Sequence, residues 1–225
     1  MSSTSSPTLQ VCRECGGGAP VDVHFCPQCS KILSLGRHGD FFAFLGVPRK
    51  LNLDAADLER RFRELSRQFH PDYFYNATPA ERRASLERSS YLNDAYRTLK
   101  NPVTRIEYLL KLEGLATAGA EHGGSGRASV PPALLEEVFA LNEELDDIRG
   151  ARSAGAPRDE IAARLARARL PIERKRDEHA RDLEALAAKW DASGDRDTLA
   201  ALHDRILERN YINNLLATIE QEANA

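Results

Sequence analysis

The stretch FRELSRQFHPDYF, residues 62–74, decides how this chain is read. Its first half continues an apolar stripe: Leu58, Phe62, Leu65 and Phe69 recur at 4-3-4 spacing, one face of a helix. Asp54 stands where that helix needs an N-cap. The helix then runs straight into His70-Pro71-Asp72, where the proline forbids its continuation. Just downstream, Thr78-Pro79-Ala80-Glu81 spells a capping box with proline at the first helical position. The second helix is predicted to reach Leu99, with Leu92, Ala95 and Leu99 inward, and Asn101-Pro102 stops it. The product is a helical hairpin with a polar, proline-stiffened tip.

His and Asp are acid–base residues, and they are also ordinary turn residues beside a proline. Catalysis needs a nucleophile or a substrate pocket nearby. The sequence has no serine elbow and no phosphate-cradling glycine loop, and its four cysteines are committed elsewhere. The tip is therefore not expected to be an active site.

Outward from the hairpin, the chain is organised as modules. Residues 1–9 read as a disordered tail, 10–36 as a cysteine module, 40–113 as the hairpin domain and 114–131 as a Gly/Ala/Ser-rich linker. Residues 132–222 hold three amphipathic helices. Leu134, Val138, Leu141, Leu145 and Ile148 form one core stripe. Ile161, Leu165, Ala168, Ile172, His179, Leu183, Leu186 and Trp190 form a second, whose register survives Pro171. One helix with a kink there is expected, in an antiparallel three-helix bundle. His179 reads as a satisfied core residue rather than a ligand. The fold class is all-α, preceded by a small zinc-ribbon or rubredoxin-like module.

Composition narrows the function. The 225 residues carry a net charge of −3, with 42% hydrophobic and 29% charged residues, and no apolar run approaches a membrane span. A near-neutral balance gives no general argument for a nucleic-acid partner. The opening MSSTSSPTLQ lacks a basic region followed by an apolar one, and it lacks arginine. A bacterial cytoplasm is expected, with the mitochondrial matrix as the alternative.

The four cysteines are Cys12, Cys15, Cys26 and Cys29, two C-x-x-C pairs ten residues apart. Each pair can form a knuckle offering two thiolates to one ion, and two knuckles complete a tetrahedron. Gly16 permits the tight backbone after the first pair. Structural Zn2+ is the expected metal; a rubredoxin-like iron site uses the same ligands. The competing reading is a reactive dithiol. A nucleic-acid finger is disfavoured because Arg13 and Lys31 are offset by Glu14 and Asp22.

The ordered set of segments DFFAFLGVPRKLNLD, RQFHPDYF, LNDAYRTLKNPVTRIEYLLKLEG and LNEELDD resembles the HscB-type J-domain co-chaperones of iron–sulfur cluster assembly over roughly residues 40–222. The double C-x-x-C ahead of it is similar to the eukaryotic-type members. The resemblance implies that His70, Pro71 and Asp72 engage a DnaK-type, HscA-like chaperone and stimulate its ATP hydrolysis. Arg60, Arg63 and Arg67 lie on the exposed face of the preceding helix and would meet an acidic chaperone surface. Tyr73 stands where generic J-domains often have lysine. The resemblance also implies that Leu135, Phe139, Glu143, Asp147 and Tyr211 hold an IscU-like scaffold. Glu136 and Ala140 depart from that pattern. The expected protein is an ATPase activator with no active site of its own, monomeric or weakly dimeric. Its rivals are a J-protein with another client, a redox protein built on the four cysteines and a nucleic-acid-binding zinc protein.

Overall fold

The computed structural model describes residues 9–35, 39–115 and 132–224. The predicted tail lies almost wholly outside them, as does most of the predicted linker. Two compact units are present, residues 1–108 and 109–225. The cysteine module and the hairpin domain, read as separate from sequence, form one unit.

Within the first unit, a two-stranded antiparallel hairpin, β1 (Leu9–Val11) and β2 (Gly18–Pro20), opens the cysteine module. Helix α1 is Phe41–Leu45, capped by Asp40 and closed by Gly46 in the left-handed region. Helix α2 (Ala55–Phe69) starts at the predicted cap Asp54, whose side chain accepts from Ala56 and Asp57 N–H. A 3-10 turn over Pro71–Phe74 follows, with His70 as its cap. Helix α3 (Pro79–Lys100) begins with the complete capping box of Thr78 and Glu81, and Leu92, Ala95 and Leu99 are buried. Phe62 stacks on Tyr96 with ring centroids 4.1 Å apart, closing the α2–α3 hairpin.

Pro102 does not simply end the domain. It opens a further helix, α4 (Pro102–Leu112), which runs across the division between the units. Arg105 is buried at its start and donates to the carbonyls of Leu99, at 2.6 Å, and Leu51. The α3–α4 corner is thus tied to the loop before α2.

The second unit contains α5 (Leu135–Ser153), α6 (Arg158–Ser193) and α7 (Arg196–Asn224). All five residues of the predicted α5 stripe are buried. Helix α6 continues through Pro171 as one element. Toward its end Ala187, rather than Leu186, takes the buried position. No helix among the described residues is long and apolar enough to cross a membrane.

His179 is buried at 1% exposure, yet neither ring nitrogen has an aligned hydrogen-bond partner. Nε2 lies 3.3 Å from a Glu208 carboxylate oxygen. It is a core residue as expected, but an unsatisfied one. Burial pushes its pKa below the ordinary value; Glu208 and Asp182 oppose that shift, and Arg205 and Lys175 reinforce it. Glu137 on α5 also faces it. In the unfolded chain the imidazole takes its proton near pH 6.5, roughly. Below that pH the unfolded state binds a proton that the native state refuses, so stability is lost as the pH falls. His179→Leu is expected to lose less stability than the parent between pH 7 and pH 5, read by urea denaturation at each pH.

Candidate functional site

The His-Pro-Asp tip is well presented. The His70 side chain is about half exposed and that of Asp72 is 86% exposed. Asp72 N–H donates to His70 Nδ1 at 3.3 Å, and Tyr73 N–H donates to the His70 carbonyl at 3.0 Å. The tripeptide is therefore held by local bonds that leave its side chains facing outward. Behind it, the Phe69 carbonyl accepts from Ser85 Oγ at 2.6 Å and Ser89 Oγ at 3.0 Å. Those two hydroxyls fasten the end of α2 to α3. Tyr73 and Tyr75 flank the tip and are strongly exposed.

The arginine ridge is largely neutralised by Asp57, Glu59 and Glu64 of its own helix, acids that already make its net positive charge small in the sequence. Arg60 donates to Asp57 and, at 3.1 Å, to Glu64. Arg63 donates to Glu59 at 2.6 Å. The guanidiniums of Arg61 and Arg60 hold the Asp57 carboxyl below its usual range. Of the three predicted contacts, Arg67 alone makes no ion pair among the described residues. It is also the one nearest His70 in the chain.

The four cysteines come together as predicted, with all four sulfurs within 4.8 Å of one another. Cys12–Cys29 and Cys15–Cys26 sulfurs are 3.7 Å apart. A tetrahedron with metal–sulfur bonds of about 2.3 Å has edges of about 3.8 Å, whereas a disulfide needs about 2.05 Å. The donors fit a tetrahedral thiolate-binding ion. The knuckles match in backbone too: Gly16 N–H donates to the Cys12 carbonyl and Ser30 N–H to that of Cys26. Gly16 and Ser30 both sit at positive φ, the serine taking a conformation that normally favours glycine. Backbone N–H groups of Cys29 and Gln28 bring the Cys26 thiol down to about 7. Cys29 moves up to about 12: the Lys31 N–H favours its thiolate, but burial and the three neighbouring sulfurs outweigh it. Four thiolates packed this closely need a cation among them.

No motif or periodicity in the sequence pairs this module with the hairpin domain. Arg88, on α3, is fully buried. Its Nε donates to the Leu33 carbonyl at 2.8 Å, Nη2 to the Ser34 carbonyl at 3.1 Å and Nη1 to His24 Nδ1 at 2.7 Å. Burial pushes the guanidinium down to about 10, which leaves it charged at neutral pH. Glu81 adds a second tie, an ion pair with Lys31 at 3.1 Å. Although burial opposes its charge, Thr78 and Lys31 hold the Glu81 carboxyl below its usual range. Thr78 Oγ1 donates to Glu14 at 3.4 Å. Lys31 and Glu14 of the module thus face its own neighbour.

In the second unit, Phe139 is 70% exposed and Leu135 is 40% exposed, although α5 already fills its core with a separate stripe. Glu143 and Asp147 are exposed on the same helix, with Arg164 3.8 Å from Asp147. Glu136 and Ala140 are exposed as well. Tyr211 differs: it is partly buried against the bundle core.

A DnaJ domain model matches residues 40–108, which spans α1, the tip and α3. The crystal structure of human co-chaperone protein HscB matches with a TM-score of 0.68 and 25% identity, covering 95% of this chain and 98% of that one. Chaperone HscB from Vibrio cholerae matches with a TM-score of 0.55 and 28% identity, covering 81% and 96%. Residues 40–108 are thus a J-domain, and the chain as a whole is similar in structure to HscB co-chaperones. J-domain proteins partner Hsp70-type chaperones and regulate the partner's ATPase rather than acting as enzymes. In this J-domain protein the tip, the ridge and the cysteine module occupy one compact unit, and the α5 patch belongs to the other.

Proposed function

We propose that this J-domain protein couples an iron–sulfur scaffold to a chaperone's ATPase. The α5 patch binds an IscU-like scaffold carrying a nascent cluster. The His70-Pro71-Asp72 tip stimulates ATP hydrolysis by a DnaK-type, HscA-like partner. The partner then clamps the scaffold and promotes cluster transfer to recipient proteins. The cysteine module holds a structural Zn2+, and the protein works in a bacterial cytoplasm.

One observation carries this reading: the same chain presents an outward-facing His-Pro-Asp tip and a bundle helix with an exposed aromatic that its own core does not use. A preorganised polar tip loses little entropy on docking. An exposed Phe and Leu bordered by acids suit a partner with an apolar, basic-rimmed surface.

Single-turnover ATP hydrolysis by a DnaK-type chaperone, measured with this protein and with or without an IscU-type scaffold, tests the proposal. Synergistic stimulation is expected, and His70→Gln should lower it at least about tenfold, a loss of about 1.4 kcal/mol or more in coupling. Stimulation indifferent to scaffold would keep the chaperone and discard the client. Glu136 and Ala140, exposed where the family pattern differs, are the observation that favours a different client as the second reading.

A further inference from the structure

The residue just before the tripeptide is held from outside its own hairpin. Phe69 is fully buried. The His24 ring meets it edge-on at 4.9 Å and meets Phe44 of α1 edge-on at the same distance. Phe25 lies 6.1 Å from Phe69, and the Arg88 guanidinium sits over the Phe69 ring at 5.7 Å. His24 and Phe25 immediately precede Cys26, the first cysteine of the second knuckle. The module's ordered backbone is what delivers them: Leu33 N–H donates to the His24 carbonyl, and Phe25 bridges to Ile32.

The His24 ring is itself fixed. Arginine only donates, so Nδ1 must accept from Arg88 and the ring proton sits on Nε2. The ring cannot turn without losing either that bond or its aromatic contacts.

We infer that His24 is a positioning residue for the chaperone-activating tip: the metal-ordered knuckle presses it against Phe69 and so fixes where His70 and Asp72 are displayed. The consequence for activity rests on the chaperone reading above; the structural link does not. Four buried residues, Cys12, Ala19, Cys26 and Leu33, make up the module's own core, two of them metal ligands. So small a core leaves the knuckles to be ordered by an ion together with the seam to the hairpin domain, since domains below about 40 residues depend on metals, disulfides or partners. Metal loss therefore withdraws His24 and loosens the end of α2. A loop competent for only a fraction of the time binds its partner more weakly by that fraction.

The test is hydrogen exchange on the full chain loaded with zinc, read at Tyr73 and Ala77, whose amides close the turn. His24→Ala is expected to keep one zinc per chain by native mass spectrometry and to leave exchange in α7 unchanged. Its tip amides should exchange about tenfold faster. His24→Phe, which keeps the ring contacts, should recover most of the protection. Stripping zinc from the parent with a chelator should accelerate the same amides. In chaperone assays His24→Ala should raise the half-maximal concentration about tenfold and leave the plateau intact. Unchanged tip exchange in zinc-loaded His24→Ala, or in the stripped parent should the variant fail to fold, overturns the inference. A parent that stimulates no chaperone defeats the functional proposal instead, and the exchange result still decides the positioning role.

Discussion

Arg88→Met is expected to destabilise the first unit by about 3 kcal/mol, a drop of order 15 °C in its melting temperature. The substitution keeps most of the apolar stem and removes only the guanidinium. It strands the carbonyl of buried Leu33 and His24 Nδ1 without their donor. Each stranded buried acceptor costs about 1–3 kcal/mol, and a charged donor sits at the upper end of that range. Relief from burying a cation offsets part of the loss, which is why the net falls below the sum. Arg88→Lys should be nearly as damaging, because a point charge cannot reach three acceptors spread around a planar fork. The chain offers a convenient internal control. Its single tryptophan, Trp190, lies in α6 of the second unit. Urea denaturation followed by far-UV circular dichroism should show an early transition that Trp190 fluorescence does not. A variant that melts like its parent would mean that water replaces the guanidinium at the seam.

Much of the fold was legible because its determinants are local. The capping box of Thr78 and Glu81, the cap at Asp54 and the α5 stripe are set by neighbours within one or two turns. The cysteine cluster was legible for the same reason, since each knuckle is closed by its own backbone. The seam was not. Arg88 meets Leu33 and Ser34 across 55 and 54 residues, and no periodicity encodes such a pairing. A signal was nonetheless present: Ala84, Arg88, Leu92, Ala95 and Leu99 lie on one buried face, and an arginine there demands partners. Glu81 shows a different limit. Its capping role is local and readable, while its pairing with Lys31 depends on a tertiary contact. The ridge shows a third. The acids three and four residues from Arg60 and Arg63 were visible, but their pairing with those arginines is a matter of rotamers.

Phe139→Ala is expected to weaken binding of an IscU-type scaffold by about 30-fold, close to 2 kcal/mol. The folding cost should stay within about 0.5 kcal/mol, because the side chain is 70% exposed and the buried α5 stripe runs beside it untouched. Such a separation of binding from stability identifies a contact residue. Glu143→Lys should act differently. Its carboxylate is exposed on the same helix, so reversing it should slow association and change the salt dependence more than the dissociation rate. Asp147 is the milder of the two acids, since Arg164 lies 3.8 Å away and already screens it. Tyr211, partly buried against the core, should couple binding to stability if truncated, and so is a poorer probe than Phe139. Scaffold-free stimulation of the chaperone should be unaffected by Phe139→Ala, because the His-Pro-Asp tip belongs to the other unit. Calorimetric titration of scaffold into parent and variant, beside the scaffold-free ATPase rate, decides the matter. Equal affinities would remove α5 from the client site. The exposed Glu136 and Ala140 would then mark a helix face whose aromatic binds some other protein.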